Sequence, residues 1–208
     1  MWQRYLCLFV MALSAAPASA GWLVAGGPRW ATFATRPEKA EPTPNYFGYG
    51  AGLSLGYSFK QVMDFGAFGY YVPGQLGQAE VFKESAVFYA YGGELAFRIA
   101  ETVYLGFRGG TAEYQLYGRE LDEELGGEWV GPAGGFSIGA LHKLKTMHYL
   151  QTSFDVMHAV VENTDTEELG KRRIDSFSVS LTYVYNGKGS SRIENSVFGQ
   201  FMNSFIFF

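Results

Sequence analysis

The stretch YFGYGAGLSLGYSF, residues 46–59, places Phe47, Tyr49, Ala51, Leu53, Leu55, Tyr57 and Phe59 on one alternating phase. Its other phase, from Gly48 to Ser58, holds only glycine and serine. Successive side chains of a strand point to opposite faces, so alternation this strict predicts a strand. A half-buried strand in a soluble sheet carries polar residues on its second face. Here the second face is almost empty. Glycine weakens a strand interior, so its concentration needs a spatial reason. A narrow closed barrel supplies one, with bulky residues outward into lipid and small ones inward where room is short.

The pattern recurs along the chain. Val87, Tyr89, Tyr91, Leu95, Phe97 and Ile99 share one phase, and Ala86, Phe88, Ala90, Gly92, Glu94, Ala96 and Arg98 the other. Val103, Leu105 and Phe107 oppose Tyr104, Gly106, Arg108 and Gly110. Phe136, Ile138 and Ala140 oppose Gly135, Ser137 and Gly139, while Leu150, Thr152, Phe154 and Val156 oppose Tyr149, Gln151, Ser153 and Asp155. Phe177, Val179, Leu181, Tyr183 and Tyr185 against Ser176, Ser178, Ser180 and Thr182 form the cleanest set. Weaker candidates at 29–36 and 65–72 bring the expected strands to eight. The gaps between them, at 36–46, 60–64, 73–85, 100–102, 117–128, 142–147 and 162–173, alternate long and short. Outer-membrane barrels alternate short periplasmic turns with longer outside loops.

Composition agrees. Aromatic residues make up 17% of the chain and charged residues only 17%, against about a quarter charged in an ordinary soluble domain. No apolar run after Ala20 reaches the roughly 18 residues that a spanning helix needs. The N-terminus reads as an export signal over 1–20: Arg4, an apolar core from Tyr5 to Leu13, and the cleavage pattern Ala18-Ser19-Ala20. The single cysteine, Cys7, leaves with it, so the mature chain carries no thiol chemistry and no cysteine metal site. Loss of Arg4 takes the formal net charge from −4 to −5, a balance that offers nothing to nucleic acid.

In signal, strand alternation and loop rhythm, residues 21–186 resemble the small eight-stranded outer-membrane barrels such as the OmpA membrane domain and OmpX. The expected fold class is all-β, an eight-stranded antiparallel up-and-down transmembrane β-barrel. The resemblance implies a Gram-negative outer membrane, insertion by the barrel-assembly machinery, contact with outer-membrane lipids and lipopolysaccharide, and a monomer. One segment departs from the family, whose members end on their last strand. Residues 187–208 continue past it, with Ile193, Val197, Phe198, Phe201, Met202 and Phe205 at helical spacing. Both a frayed tail and an interfacial helix fit that spacing.

Chemistry is sparse. Four charges, Glu94, Arg98, Arg108 and Asp155, fall on the inward phase and are expected to pair, because an isolated buried charge is costly. Centring the hairpin on Glu101 sets Glu94 opposite Arg108, with Arg98 lower down beside Tyr104. Lys171, Arg172 and Arg173, expected in an outer loop, are candidate contacts for lipopolysaccharide phosphates. The lipid A 3-O-deacylases carry an H-x-S motif followed by an acid on late strands. His158 and Asp175 supply the base and the acid, but Val160 stands where the serine belongs. Without a hydroxyl the base has nothing to activate. No catalytic residue, metal ligand set or cofactor is therefore expected. A structural or adhesive barrel, a small pore, a lipid-modifying enzyme and a soluble lipocalin-like binder stay open as function classes.

Overall fold

The computed structural model describes residues 20–37, 45–59, 62–76, 84–99, 102–118, 127–164 and 170–187. The signal at 1–19 and the tail from 188 lie outside the described residues. The strands are β1 (Ala20–Pro37), β2 (Asn45–Phe59), β3 (Met63–Leu76), β4 (Glu84–Arg98), β5 (Val103–Gly118), β6 (Gly127–Lys145), β7 (His148–Asn163) and β8 (Lys171–Asn186). Each pairs antiparallel with its neighbour in sequence, and β1 pairs with β8, so the sheet closes. Closure leaves no free strand edge. Connections of three, four and two residues join strands at one end, the turn end. At the other, the loop end, seven, seven, eight and seven residues intervene.

Besides β6, which runs on to Lys145 through most of the expected turn 142–147, three boundaries differ from the sequence expectation. β1 begins at Ala20 rather than 29, because Gly26-Gly27-Pro28 interrupts an alternation that resumes on both sides. β3 runs Met63–Leu76 rather than 65–72, which brings Asp64 out of the expected turn and into the sheet. The basic triplet Lys171-Arg172-Arg173 opens β8 instead of lying in a loop. The strands outrun the apolar band, so their loop ends carry polar residues that read as loop.

The wall is sided as the alternation requires. Leu181 is 37% exposed on the outside, whereas its neighbour Ser180 is 3% exposed in the lumen. Leu55 and Phe154 face outward, and Ser153 and Gly106 are buried. Phe97 and Leu105 are directly opposed on the outer wall, and Ser54 and Ala96 lie on the inner phase. Tyr57 is buried despite its outward phase, since the rings of Trp22 and Phe65 cover it at 4.7 and 5.7 Å.

Prolines and glycines bend this wall. Ladder pairing stops at Pro28 against β8, at Pro73 against β2 and at Pro132 against β7, because proline has no N–H to donate. Glycine faces the close approaches beside these breaks. A Cβ at Gly50 would stand 1.8 Å from the Tyr71 carbonyl oxygen, and one at Gly27 2.1 Å from that of Leu181. Those inward glycines are thus required by backbone contact.

The sidedness makes a direct prediction. Leu181→Arg puts a charge on the apolar wall and should cost about 2–4 kcal/mol at mid-depth. A fluorophore on Leu181→Cys should be quenched by a lipid-soluble quencher, and one on Ser180→Cys shielded. The opposite pattern would mean that the barrel is inside out.

Candidate functional site

The lumen is stratified. Toward the loop end lies a buried apolar cluster that includes Phe33, Tyr46, Phe68, Tyr70, Phe88, Tyr114 and Trp129. Phe33 stacks on Tyr46 at 5.1 Å and on Phe88 at 5.7 Å, and Tyr114 meets Trp129 at 5.5 Å. The expectation of a lumen lined mainly by glycine, alanine and serine holds for the middle of the strands and fails here. Phe33, Tyr46, Phe88, Tyr114 and Trp129 come from the loop-end parts of their strands, whereas Phe68 and Tyr70 stand in the middle of β3.

Beneath the rings lies a layer of charge. Asp155 on β7 binds Arg29 of β1 through Oδ2 at 3.1 Å and Arg108 of β5 through Oδ1. Arg108 Nε also donates to Glu94 Oε2 of β4 at 3.2 Å. Ser153 Oγ donates to Asp155 at 3.0 Å, and Arg29 donates to Ser178 Oγ at 2.6 Å. Both side chains of the Arg29–Asp155 pair are only 6% exposed. Two guanidinium groups and two carboxylates leave the layer without net charge. Each cation also lies against a ring, Arg29 4.5 Å from the centroid of Tyr70 and Arg108 5.4 Å from that of Phe68. Such contacts add attraction when the cation is shielded from water.

The observed register sets Glu94 opposite Arg108 and Arg98 opposite Tyr104, as the hairpin arithmetic predicts. Arg98, however, does not join the central layer. It pairs with Asp64 at 3.2 Å near the turn end and lies 5.5 Å from the Tyr149 ring. With its amide set to satisfy both neighbours, Asn186 accepts from Arg98 at 2.7 Å and from Ser58 at 3.0 Å. Between the two layers is a cavity of about 50 Å³ lined by Asp64, Glu94, Tyr104, Arg108, Gln151 and Ser180 among others. Arg29 Nε and Asp64 Oδ1 have no protein partner there. The space is polar and large enough for water, given that roughly 10–15 Å³ admits one molecule.

Arg29 and Asp64 belong to these clusters but are not legible in the alternation. Arg29 follows the Gly-Gly-Pro interruption, and Asp64 sits at a strand edge that reads as turn. The signal that finds them is phase continued outward from 31 and 66, which puts both residues inside.

The outer rim carries the remaining candidates. Arg172 does not face outward with its neighbours. It turns into the mouth of the lumen, 4.1 Å from the Trp129 ring, because β8 continues its alternation through the basic triplet. Lys171 pairs with Glu162 at 2.6 Å on the outside, and Arg173 is exposed. His158 and Asp175 meet across β7 and β8 at 2.8 Å on the outer wall. Their outward ladder and same-strand neighbours are Gly134, Ala34, Val156, Val160, Arg173 and Phe177, none of which bears a hydroxyl. Among the described residues no group of three or more His, Cys, Asp or Glu could hold a metal ion.

No protein-family model and no curated protein matches the chain. Among solved structures it is similar to Neisserial surface protein A, with a TM-score of 0.56 and 12% identity over 79% of this chain and 96% of that one. It also matches Ail, the attachment invasion locus protein of Yersinia pestis, with a TM-score of 0.47 and 14% identity over 80% and 99% of the two chains. The outer membrane protein OprG from Pseudomonas aeruginosa matches with a TM-score of 0.43 and 11% identity over 82% and 97%. The chain thus has the fold of the small eight-stranded outer-membrane barrels.

The central layer predicts unequal costs for its members. Asp155→Ala strands two buried arginines and should cost about 3–5 kcal/mol, read from the urea midpoint in micelles. Lys171→Ala breaks an exposed pair and should cost less than about 1 kcal/mol. Equal shifts would mean that the lumen charges are as hydrated as the surface ones.

Proposed function

We propose that this protein is a non-enzymatic, monomeric barrel of a Gram-negative outer membrane, closed to through-flow and acting at its loop-end surface. The observation that carries the reading is the layered lumen, in which the Arg29–Asp155–Arg108–Glu94 network lies under a stack of aromatic rings. An ion crossing it would have to part buried salt bridges and then pass a dry cluster. The exposed apolar outer wall, with Trp22, Trp30, Phe47, Leu53 and Phe136, supports a lipid surrounding and disfavours the soluble lipocalin-like reading. Full closure satisfies every strand edge within one chain, which supports the monomer. The export signal over 1–20 and insertion by the barrel-assembly machinery belong to the same proposal.

The alternative classes make different demands. A pore needs a continuous aqueous path, and the inward rings oppose one. A deacylase-like enzyme needs a nucleophile beside His158, and its outward neighbours supply none. The loop-end surface, where Arg36, Glu113, Glu162, Lys171 and Arg173 stand outside the apolar band, is the part left to meet a partner.

Purified protein added to a planar bilayer should insert without giving steady conductance. Stable single-channel steps from the wild-type chain would favour the pore. In micelles of lipopolysaccharide it should release no fatty acid, and release abolished by His158→Ala would establish the enzyme instead.

A further inference from the structure

The connection from β6 to β7 is the shortest in the barrel, two residues between the paired Lys145 and His148. The second of them, Met147, has a φ of 71°, and it is the one non-glycine residue among the described residues with a positive φ. Such a position in a short turn ordinarily goes to glycine or asparagine, because a Cβ is crowded there. A long thioether side chain is an unfavourable choice, yet its surroundings hold it. The Met147 carbonyl accepts from the Asn186 N–H at 2.8 Å, and the Tyr185 hydroxyl lies 4.0 Å from Met147 Sδ.

The next residue supplies a second neutral donor. His148 Nδ1 shares a hydrogen bond with the Tyr183 hydroxyl, and the His148 ring lies 5.4 Å from that of Tyr185. Tyr185 thus meets both Met147 and His148. The same Met-His pair occurs once more in the barrel, at Met157 and His158, and there the strand sends the two apart. Met157 is buried in the lumen and His158 faces outward, as alternation requires. Only the positive φ at the turn frees Met147 and His148 from that rule. The segment from His142 to His148 contains no carboxylate, and Lys143 and Lys145 precede the turn. Calcium and magnesium, which need several oxygen ligands, have none there. Structural zinc takes four ligands. One thioether and one imidazole suit instead a soft ion of low charge.

We propose that Met147 Sδ and His148 Nε2 form a site for a soft monovalent metal ion, copper(I) or its analogue silver(I), on the turn-end rim. Both residues are half-buried, so an ion reaches them from the water beside the rim without entering the lumen. A ligating histidine is commonly oriented through its other ring nitrogen. Binding at Nε2 selects the tautomer in which Nδ1–H donates to the Tyr183 oxygen. Lys145 stands directly opposite His148 in the ladder, which penalises a divalent ion more than a monovalent one.

The site stands on the hairpin alone and is independent of what the loop end recognises. The folded barrel, carrying Cys7→Ser so that no thiol competes, is titrated in detergent micelles with silver(I) against a chromophoric silver chelator. Bound metal is counted by native mass spectrometry. One ion should be retained per barrel, and neither zinc nor calcium should displace it at equal concentration. Met147→Leu keeps the side-chain volume without the sulfur, and His148→Ala removes the imidazole; each should weaken binding roughly tenfold or more. Tyr183→Phe keeps both donors but frees the imidazole, and should weaken binding about tenfold. Met147→Gly should lose the ion while its unfolding midpoint stays level or rises, because glycine adopts a positive φ freely. Heat-modifiable gel migration shows that each variant is folded. Silver held as tightly by Met147→Leu or His148→Ala as by the parent barrel would overturn the site, and so would its displacement by zinc.

Discussion

Asp155 accepts from two arginines that approach from different strands, and the packing of the lumen is arranged around that carboxylate. Desolvating four charges is costly, and it is tolerable only when each finds partners at hydrogen-bond distance. The sequence supplies both the partners and the room. Gly66 and Gly135 flank the Glu94–Arg108 pair in the ladder, and a Cβ at either would stand 2.3 Å from the Leu55 or Val156 carbonyl oxygen of the next strand. These glycines admit neighbouring backbone and add no side chain of their own to the layer of charge.

The charged layer also divides the interior. Above it the rings of Phe68 and Tyr70 seat the two arginines and continue into the aromatic stack, with Tyr70 donating to Met157 Sδ at 2.7 Å. Below it lie the polar cavity, the Gln151–Tyr104 hydrogen bond at 2.6 Å and the Arg98–Asp64 pair. The loop-end half is thus packed like a soluble core, and the turn-end half has room for water. That asymmetry puts the denser packing under the loop end.

Much of this was legible in the sequence. Alternation in 46–59 and 176–185 identified the outward and inward faces, because the spatial period of a strand is two wherever one face is apolar. The register of β4 against β5 followed from the short connection around Glu101. What alternation could not reveal was chemistry at strand ends, where both faces become polar or both become aromatic. Asp64, Tyr46 and Trp129 lie in such places, and so does Arg172, whose inward turn reverses its expected role, whereas Arg29 stands in the middle of β1 behind Gly-Gly-Pro, and Phe68 and Tyr70 in the middle of β3. The setting of Thr32 beside Phe47 and Phe177 on the outer wall was invisible for a different reason, since only closure of the sheet brings these residues together.

The central claim is that Asp155 and Arg108 are coupled across the lumen rather than separately hydrated. A double-mutant cycle on unfolding free energy in micelles measures this, using Asp155→Ala, Arg108→Ala and the double variant. Direct contact predicts a coupling on the order of 1–3 kcal/mol. Additivity of the two single effects, to within about 0.5 kcal/mol, would show that no such bridge closes the barrel.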